Sequence, residues 1–368
     1  MIGYTTLGNL IAPAKVIRCG KGAFPVLSMT MHDGIVLQSE RFKKSLASID
    51  QSDYKVVKRG QLVVGFPIDE GVLYVQKAAD EGIMSPAYNV WDIDTEKIDA
   101  DFLELCLHSP QSMQYYKDKL RGTTARRRSI PTADLLALKI RLPDMQTQRE
   151  AVAIMRKAEA VIAARQEQLN SFEQLVKSRF IELFGDPLSN DKGWQKALIT
   201  EVCHAIFGGG TPSKSHPEYF TGSIPWVSPK DMKFSVISDS IDHITEEAIA
   251  HSTTNLVPAN SVLMVIRSGI LKHTLPVAIN SVPVTINQDM KAFVPNEAIK
   301  VAFLMHYFKA IENDVLSGVR GVTADNIDFK AFQKRTINVP PLELQEQFAA
   351  FVEQTDKSKL CGEMEVAA

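Results

Sequence analysis

The chain carries an internal repeat at an offset of about 200 residues, and this repeat limits its possible folds more than any single motif does. Three segments recur in the same order with low identity. PVLS at 25–28 recurs as PWVS at 225–228, and the apolar pattern of 57–66 recurs at 257–266. IRLP at 140–143, which precedes Gln148, recurs as INVP at 337–340, which precedes Gln345. Three matches at one offset indicate an old duplication. We therefore expect two similar domains, which 368 residues can accommodate.

Both halves show the same order of predicted elements. Each begins with a β-rich region, in which runs of Val, Leu and Ile predict strands at 61–66, 71–76 and 261–266. Apolar residues at helical spacing then predict one helix over 102–120 in the first half and one over 301–315 in the second. The fold class we expect is mixed α/β (α+β), with a pseudo-twofold internal repeat.

A long helical run follows each β-rich region. Residues 146–184 contain neither Gly nor Pro, and Gly185 is expected to end the helix. Apolar residues recur there every three or four positions, with Glu159, Gln166 and Glu173 interrupting: Val152, Met155, Ile162, Leu169, Val176, Phe180 and Leu183. A shorter run over 342–359 repeats the spacing. We expect the two to pack as an antiparallel coiled-coil pair that separates the domains, or alternatively as surface helices on their own domains.

These patterns predict five segments along the chain. A first domain covers 1–143 and a central spacer helix covers 144–186. A second domain covers 187–340 and a C-terminal spacer helix covers 341–360. The tail at 361–368 is expected to be disordered.

Composition restricts the function classes. A net charge of -2 excludes a uniformly basic nucleic-acid binder, so contact with DNA would need local basic patches. The four cysteines are scattered and form no C-x-x-C pair, which favours reduced thiols. The chain shows neither a signal peptide nor an apolar run of about eighteen residues that could span a membrane. We expect a soluble cytoplasmic protein.

Catalytic motifs are missing from the sequence. The segment 208–215 superficially suggests a phosphate loop, but Ser213 stands where glycine is needed and Pro212 lacks an amide donor. No E-x-K, H-E-x-x-H or G-x-S-x-G pattern occurs. The NVPP run at 338–341 is not the Asn-Pro-Pro-aromatic tetrad of adenine methyltransferases. We expect no catalysis, metal or cofactor in this chain.

Two segments carry a resemblance to a known family. The run FGGGTPSK at 207–214, followed by IPWVS at 224–228 and Lys230-Asp231, resembles the opening of a type I target recognition domain. INVPPLELQEQ at 337–347 resembles the start of that family's spacer helices. The copy at 140–149 is weaker, since Asp144 replaces a proline and Arg149 the usual glutamate. The order of domain, helix, domain, helix extends the resemblance over almost the whole chain.

The resemblance implies a specificity subunit of a type I restriction-modification system, with two target recognition domains separated by spacer helices. Each domain would read one half of an interrupted double-stranded DNA site. Two methylation subunits would supply S-adenosylmethionine and flip the target adenines, and a restriction subunit would supply ATP and Mg²⁺ chemistry. Two alternatives stay open: a specificity subunit of a related restriction or phage-defence system, and a two-lobed scaffold that binds proteins only.

Candidate DNA contacts are basic, hydroxyl-bearing or loop residues. We expect the glycines of 208–210 to allow close approach to phosphate and Trp226 to lie in the core. The first domain lacks the GGGTP loop, and its run Arg126-Arg127-Arg128 is the densest basic patch. The candidates are Lys15, Lys21, Ser28, Arg121, Arg126, Arg127 and Arg128 in the first domain, and Thr211, Ser213, Lys214, Ser228, Lys230, Arg267, Ser268, Lys272 and Arg320 in the second.

Overall fold

The fold is seen in a computed structural model, which describes residues 3–41, 50–120, 128–319 and 325–367, with side chains through 359. The chain divides into two compact units, Met1–Ala163 and Ala164–Ala368. Helix α5 (Met145–Phe184) contributes its first half to the first unit and its second half to the second. The two units are described separately below.

The first unit is built on a four-stranded sheet with the order β2-β9-β6-β7. Its strands are β1 (Gly3–Thr6), β2 (Ile11–Pro13), β3 (Leu27–Met29), β4 (Ile35–Leu37), β5 (Lys55–Lys58), β6 (Leu62–Val64), β7 (Leu73–Val75), β8 (Glu81–Met84), β9 (Asn89–Ile93) and β10 (Lys139–Leu142). Its helices, besides the start of α5, are α1 (Gln38–Arg41), α2 (Ala100–Leu107), α3 (Pro110–Lys119) and α4 (Thr132–Leu136). The main core packs the sheet against α2 and α3 through Leu62, Leu73, Leu103 and Tyr116.

The second unit contains a five-stranded sheet, β12-β19-β16-β17-β14, and a three-stranded sheet, β15-β13-β18. Its strands are β11 (Gln195–Leu198), β12 (Cys203–Gly208), β13 (Ile224–Val227), β14 (Val236–Ile237), β15 (His243–Ile244), β16 (Val262–Val265), β17 (Val277–Asn280), β18 (Thr285–Ile286), β19 (Met290–Pro295) and β20 (Thr336–Val339). Its helices, besides the end of α5, are α6 (Glu246–Ala250), α7 (Val301–Ala310), α8 (Glu312–Ser317), α9 (Phe329–Phe332) and α10 (Leu342–Ala367).

The sheet topology repeats between the units, as the sequence repeat predicts. Strand β6 lies between β9 and β7, and β16 lies between β19 and β17, with antiparallel pairing throughout. The strand that opens each unit's sheet region, β1 or β11, pairs antiparallel with the strand before the long helix, β10 or β20. The predicted strands at 61–66, 71–76 and 261–266 are confirmed as β6, β7 and β16. The predicted mixed fold with a repeated architecture is confirmed.

A buried glutamine fixes each long helix to its own domain. Gln148 Oε1 accepts from the Asp99 amide at 2.8 Å, and its Nε2 donates to the carbonyls of Pro143 and Lys97 at 2.9 and 3.3 Å. Gln345 repeats the set with Lys300, Pro340 and Ala298, at 2.8, 2.8 and 3.1 Å. Both side chains are fully buried. The repeated Gln therefore satisfies three backbone groups wherever a helix leaves a domain.

The helix α5 begins and ends close to its predicted bounds. Asp144, which departs from the family's proline, accepts from the Thr147 amide at 3.0 Å, and this hydrogen bonding lowers the pKa of its carboxyl. Gly185 stands just beyond the last turn with φ 75°, a left-handed conformation that glycine adopts without strain. At 40 residues and ~1.5 Å per residue, the helix is about 60 Å long.

Other helix boundaries differ from the prediction. The expected single helix at 102–120 is two, α2 and α3, because Ser109 caps the second helix and Pro110 occupies its first turn. The helix expected at 301–315 is likewise divided into α7 and α8 at Ile311. Helix α10 continues to Ala367 and so includes most of the segment 361–368 that was expected to be a disordered tail.

The two long helices run antiparallel where they meet in the second unit. Phe348 of α10 contacts Phe184 and Phe180 of α5, with ring centroids 5.5 and 5.4 Å apart. One turn later, Phe351 lies 5.9 Å from the Arg179 guanidinium, farther back along α5. The predicted seam is buried at Val152, Val176 and Phe180, whereas its middle is open to solvent, with Ile162 61% exposed.

We predict that Gln345→Ala destabilises the second unit by about 3 kcal/mol, because it leaves three buried backbone groups without their partner. Gln148→Ala should do the same in the first unit. Differential scanning calorimetry measures both effects as a lowered melting temperature. The control is Gln354→Ala, an exposed position on the same helix as Gln345. A Gln345→Ala protein as stable as this control would contradict the assigned role.

His306, a partly buried residue of α7 whose Nε2 is enclosed, gives the second unit a pH-dependent stability. Desolvation, with Lys309 and Lys359 nearby, lowers its pKa to about 3 from an ordinary 6.5, and its Nε2 has no partner among the described residues. Below pH 6.5 the unfolded chain binds a proton that the folded chain refuses, so this contribution to stability falls as the pH drops from 6.5 towards 3.

We predict that the free energy of unfolding falls by about 2 kcal/mol more between pH 7 and pH 5 in the natural protein than in His306→Leu. Leucine is chosen because Leu105 holds the equivalent place in α2. Urea unfolding followed by circular dichroism measures the difference. His204→Leu, at an exposed histidine, is the control. Equal pH dependence in the natural and His306→Leu proteins would rule out this role for His306.

Candidate nucleic-acid interface

Four loops of the second unit converge beside the ends of β12 and β16 and the start of β19. Thr211, on the glycine-rich loop after β12, donates its hydroxyl to Gln288 Oε1 in the turn before β19. Arg267, just after β16, donates from Nε to Asp289 Oδ1 at 2.6 Å. The Ser268 amide donates to the Asp325 carbonyl at 3.1 Å. Candidates far apart in sequence are therefore brought together here, and we call residues 208–215, 266–273, 287–289 and 325–328 the corner of the second unit.

The turn at 287–289 organises this corner. Asn287 is buried, and its Oδ1 accepts from the Asp289 amide at 3.1 Å while its Nδ2 donates to Asp289 Oδ2 at 3.4 Å. The Asp289 carbonyl accepts from the amides of Ile266 and Arg267 at 2.8 and 3.2 Å. Asp289 is therefore held by both its backbone and its carboxylate. The Arg267 side chain, 47% exposed, extends from this support towards solvent.

Glycine is required in this loop for a reason other than the expected close approach to phosphate. A Cβ at Gly209 would lie 1.7 Å from the Asn287 carbonyl oxygen, and one at Gly210 would lie 2.5 Å from Thr253 Oγ1. The loop thus packs against the protein's own backbone, and approach to phosphate is not needed to explain these glycines. Trp226 is only partly buried, outside the main core, and donates from Nε1 to the Gly210 carbonyl at 3.0 Å.

The remaining candidates of the second unit differ in how freely they face solvent. Ser213 and Lys214 are exposed on the loop, and Ser213 shares a hydrogen bond of 2.7 Å with Ser215. Ser228 is buried, and both its hydroxyl and its amide donate to Asp231 Oδ2 at 2.8 Å, so it shapes a turn. Lys230 donates to Asp242 at 2.6 Å, a bond that raises the pKa of the lysine.

Two further candidates belong to the short helical turn Gly269–Lys272. Ser268 caps it, because its Oγ accepts from the Ile270 amide at 3.4 Å. Lys272 is 65% exposed and lies 3.7 Å from the Asp325 carboxylate. Both side chains border the corner. Arg320 lies outside the described residues.

The first unit has a corner at the equivalent place, in which the acidic and basic side chains occupy exchanged positions. The Ile68 amide donates to the Arg128 carbonyl at 3.1 Å, as Ser268 does to Asp325 in the second unit. The Arg128 guanidinium pairs with Asp69, at 2.9 Å, and with Glu70, and the hydrogen bond to Asp69 chiefly raises the pKa of this arginine. In the second unit the loop carries the cation, Lys272, and the opposite chain carries the acid. The same backbone junction therefore presents different side chains.

The other first-unit candidates do not gather at this corner. Lys15 and Lys21 are exposed between β2 and β3. Ser28 lies in β3 and accepts from Gln38 Nε2 at 3.1 Å. Arg121, Arg126 and Arg127 lie outside the described residues.

The sequence analysis missed two polar residues of the second corner, Asn287 and Gln288, and a third beside it, Lys291. Gln288 is exposed beside Thr211, and the Asn287 side chain donates a hydrogen bond to the Asp289 carboxylate. The Lys291 ammonium lies 4.8 Å from the centre of the Phe329 ring. The available signal was the run Asn287-Gln288-Asp289 between two apolar segments, which indicates a polar loop at a sheet end.

In the described ranges there is no group of three or more His, Cys, Asp or Glu side chains that could hold a metal ion. Nor does any helix described there combine the length and the apolar character needed to cross a membrane.

Comparisons with known sequences point to one family. Residues 191–361 match the family described as the type I restriction modification DNA specificity domain. The specificity subunit of the type I restriction enzymes EcoR124I and EcoR124II from Escherichia coli is 43% identical over 153 residues, 41% of this chain and 38% of the relative. The MjaIX specificity subunit of Methanocaldococcus jannaschii is 31% identical over 121 residues, 32% of this chain and 27% of the relative. These two matches span less than half of either relative.

Similarity to solved structures extends over the whole chain. A chain from a structure concerning complex assembly and conformational transition of the type I R-M system aligns with 100% of this chain and 93% of its own length, with a TM-score of 0.59 and 20% identity. The type I restriction-modification S subunit from M. genitalium aligns with 100% of this chain and 92% of its own length, with a TM-score of 0.56 and 14% identity. At such identities the likeness concerns the fold.

Proposed function

We propose that this chain belongs to the type I restriction-modification specificity family and reads double-stranded DNA as the specificity subunit of a type I complex. Each unit would recognise one half of a two-part site. The observation that carries this proposal is the pair of equivalent corners, built on one repeated backbone framework and lined by different side chains. Such a pair suits two readers of different short sequences.

The chemistry of the second corner supports contact with DNA. Thr211, Ser213, Lys214, Arg267, Ser268 and Lys272 offer hydroxyl groups and cations at a solvent-facing edge, which are the groups that proteins use towards phosphates and base edges. Ser228 would act by shaping its turn, since its hydroxyl is engaged internally. In the first unit we propose Lys15, Lys21, Ser28 and Arg128 as contacts, and Arg121, Arg126, Arg127 and Arg320 remain predictions.

The partners follow from the family. We propose two methylation subunits that bind S-adenosylmethionine and a restriction subunit that uses ATP and Mg²⁺, with this chain supplying no catalytic group. Exposed apolar side chains in the middle of α5, including Ile154, Val161 and Ile162, would suit contact with such subunits. A chain that serves chromosomal DNA in such a complex would work in the cytoplasm.

We predict modular reading by the two units. Replacing residues 190–340 with the matching segment of a relative that has a different target should change only one half of the methylated site, because the first corner is untouched. Methylome sequencing of cells that also express the methylation subunit measures both halves. Co-purification of the chimera with that subunit controls for assembly. A chimera that changed both halves would contradict independent reading.

We also predict that α5 sets the gap between the half-sites. Inserting four residues near Gln168, in an exposed stretch of α5, adds about 6 Å and slightly more than one turn. The gap should then lengthen by one or two base pairs, at about 3.4 Å each. The bases read in each half should stay the same, since no corner residue changes.

The control for this insertion is the replacement of 166–169 by four alanines, which preserves helix length. It should leave the gap as it is. An insertion variant that is fully active with an unchanged gap would show that the helix is not the ruler.

A further inference from the structure

We propose that Arg267 and Gln288 are neighbouring base readers of the second unit, with Arg267 selecting a guanine and Gln288 selecting an adenine next to it. This inference rests on the proposed function, since it assumes that the corner meets DNA. It adds base identities, which follow from how each side chain is held in the corner.

The Arg267 guanidinium is hydrogen-bonded to the protein through its Nε side only. Its Nε donates to Asp289, and no other hydrogen bond of the guanidinium is found within the described ranges, so both terminal amino groups keep their donors for a ligand. Two parallel N–H donors match the O6 and N7 acceptors of guanine in the major groove. Holding Nε in advance also lowers the entropy lost when the fork binds. The side chain is therefore preset for a bidentate contact.

The acid beside Arg267 argues for a base and against a phosphate as its target. Asp289 is fixed by Asn287 and by its own backbone, so its carboxylate cannot turn away from an approaching anion. A phosphate at Arg267 would meet this negative charge at close range, whereas a guanine edge carries no net charge. The exposed Lys214, by contrast, suits a phosphate.

Gln288 is preset for adenine in a similar way. Thr211 donates its hydroxyl to Gln288 Oε1 and so restrains the amide beside the glycine-rich loop. Oε1 keeps a second lone pair to accept from the adenine N6 amino group, and Nε2 keeps its donors for N7. The exposed amide thus presents one acceptor and one donor side by side, as adenine requires.

The two readers lie close together because Asp289, which positions Arg267, directly follows Gln288 in the chain. Successive bases are about 3.4 Å apart along one strand, the separation that neighbouring residues on a turn can match. The recognised half-site should therefore contain a G·C pair adjacent to an A·T pair.

The test is selection from a random double-stranded DNA library by the full chain in complex with its methylation subunits. The natural protein should select adjacent G and A in one half. Arg267→Ala and Arg267→Lys should each reduce discrimination at the G position alone, by about five- to a hundredfold, since lysine keeps the charge and loses the fork. Gln288→Ala should do so at the A position alone. Asp289→Asn should weaken only the G preference, as expected of a positioning residue.

Controls separate the outcomes. Lys196→Ala, an exposed position in β11, should keep the natural preferences, and thermal melting checks that every variant folds. Uniform weakening by Arg267→Ala across all sequences, with a salt slope reduced by about one, would mean phosphate contact and overturn this inference alone. Uniform weakening by Gln288→Ala, with the salt slope unchanged, would likewise show that this amide selects no base. A natural half-site without adjacent G and A would also overturn it. A natural complex without any sequence preference would instead refute the proposed function.

Discussion

A buried glutamine at the base of each long helix is the interaction on which the rest of the architecture depends. Gln148 and Gln345 each join three backbone groups. Two come from the segment leading into α2 or α7, and one comes from the proline between the preceding strand and the long helix. Removing the side chain would leave these groups buried without partners, at a cost of about 1–3 kcal/mol each. The direction in which each helix leaves its domain is therefore fixed by hydrogen bonds and not by apolar packing alone.

The same framework explains how two halves of one chain can differ in chemistry without differing in fold. The amide-to-carbonyl bond at Ile68 and Ser268 ties equivalent loops together in both units. Ile68 and Leu271 on these loops belong to the cores, whereas largely exposed side chains such as Arg267 and Lys272 can change without altering them. The side chains of the two corners have diverged accordingly. Arg128 pairs with two acids in the first unit, whereas Arg267 pairs with Asp289 in the second.

Much of this fold follows from sequence patterns, because repeats and apolar periodicity are local signals. The bounds of α5 and the strands β6, β7 and β16 were predicted from such signals and are confirmed. The break between α2 and α3 was missed, although Ser109 followed by Pro110 is a recognised helix start. There the apolar stripe continued across the break and outweighed the capping signal.

The candidate site was less predictable, because it depends on contacts between distant residues. Thr211 and Gln288 are 77 positions apart, and no local pattern indicates that one orients the other. Ser228 was expected to face DNA, yet Asp231 binds its hydroxyl inside the protein. Loop residues of similar character thus divide into supports and exposed groups only when the fold brings their partners to them.

Methylome sequencing of cells that express this chain with its methylation subunit tests the central claim most directly. The account predicts new adenine methylation at a motif of two short specified sequences separated by a gap of fixed length and unspecified bases. Methylation at one uninterrupted sequence, or an assembled and active complex that methylates without sequence preference, would contradict it.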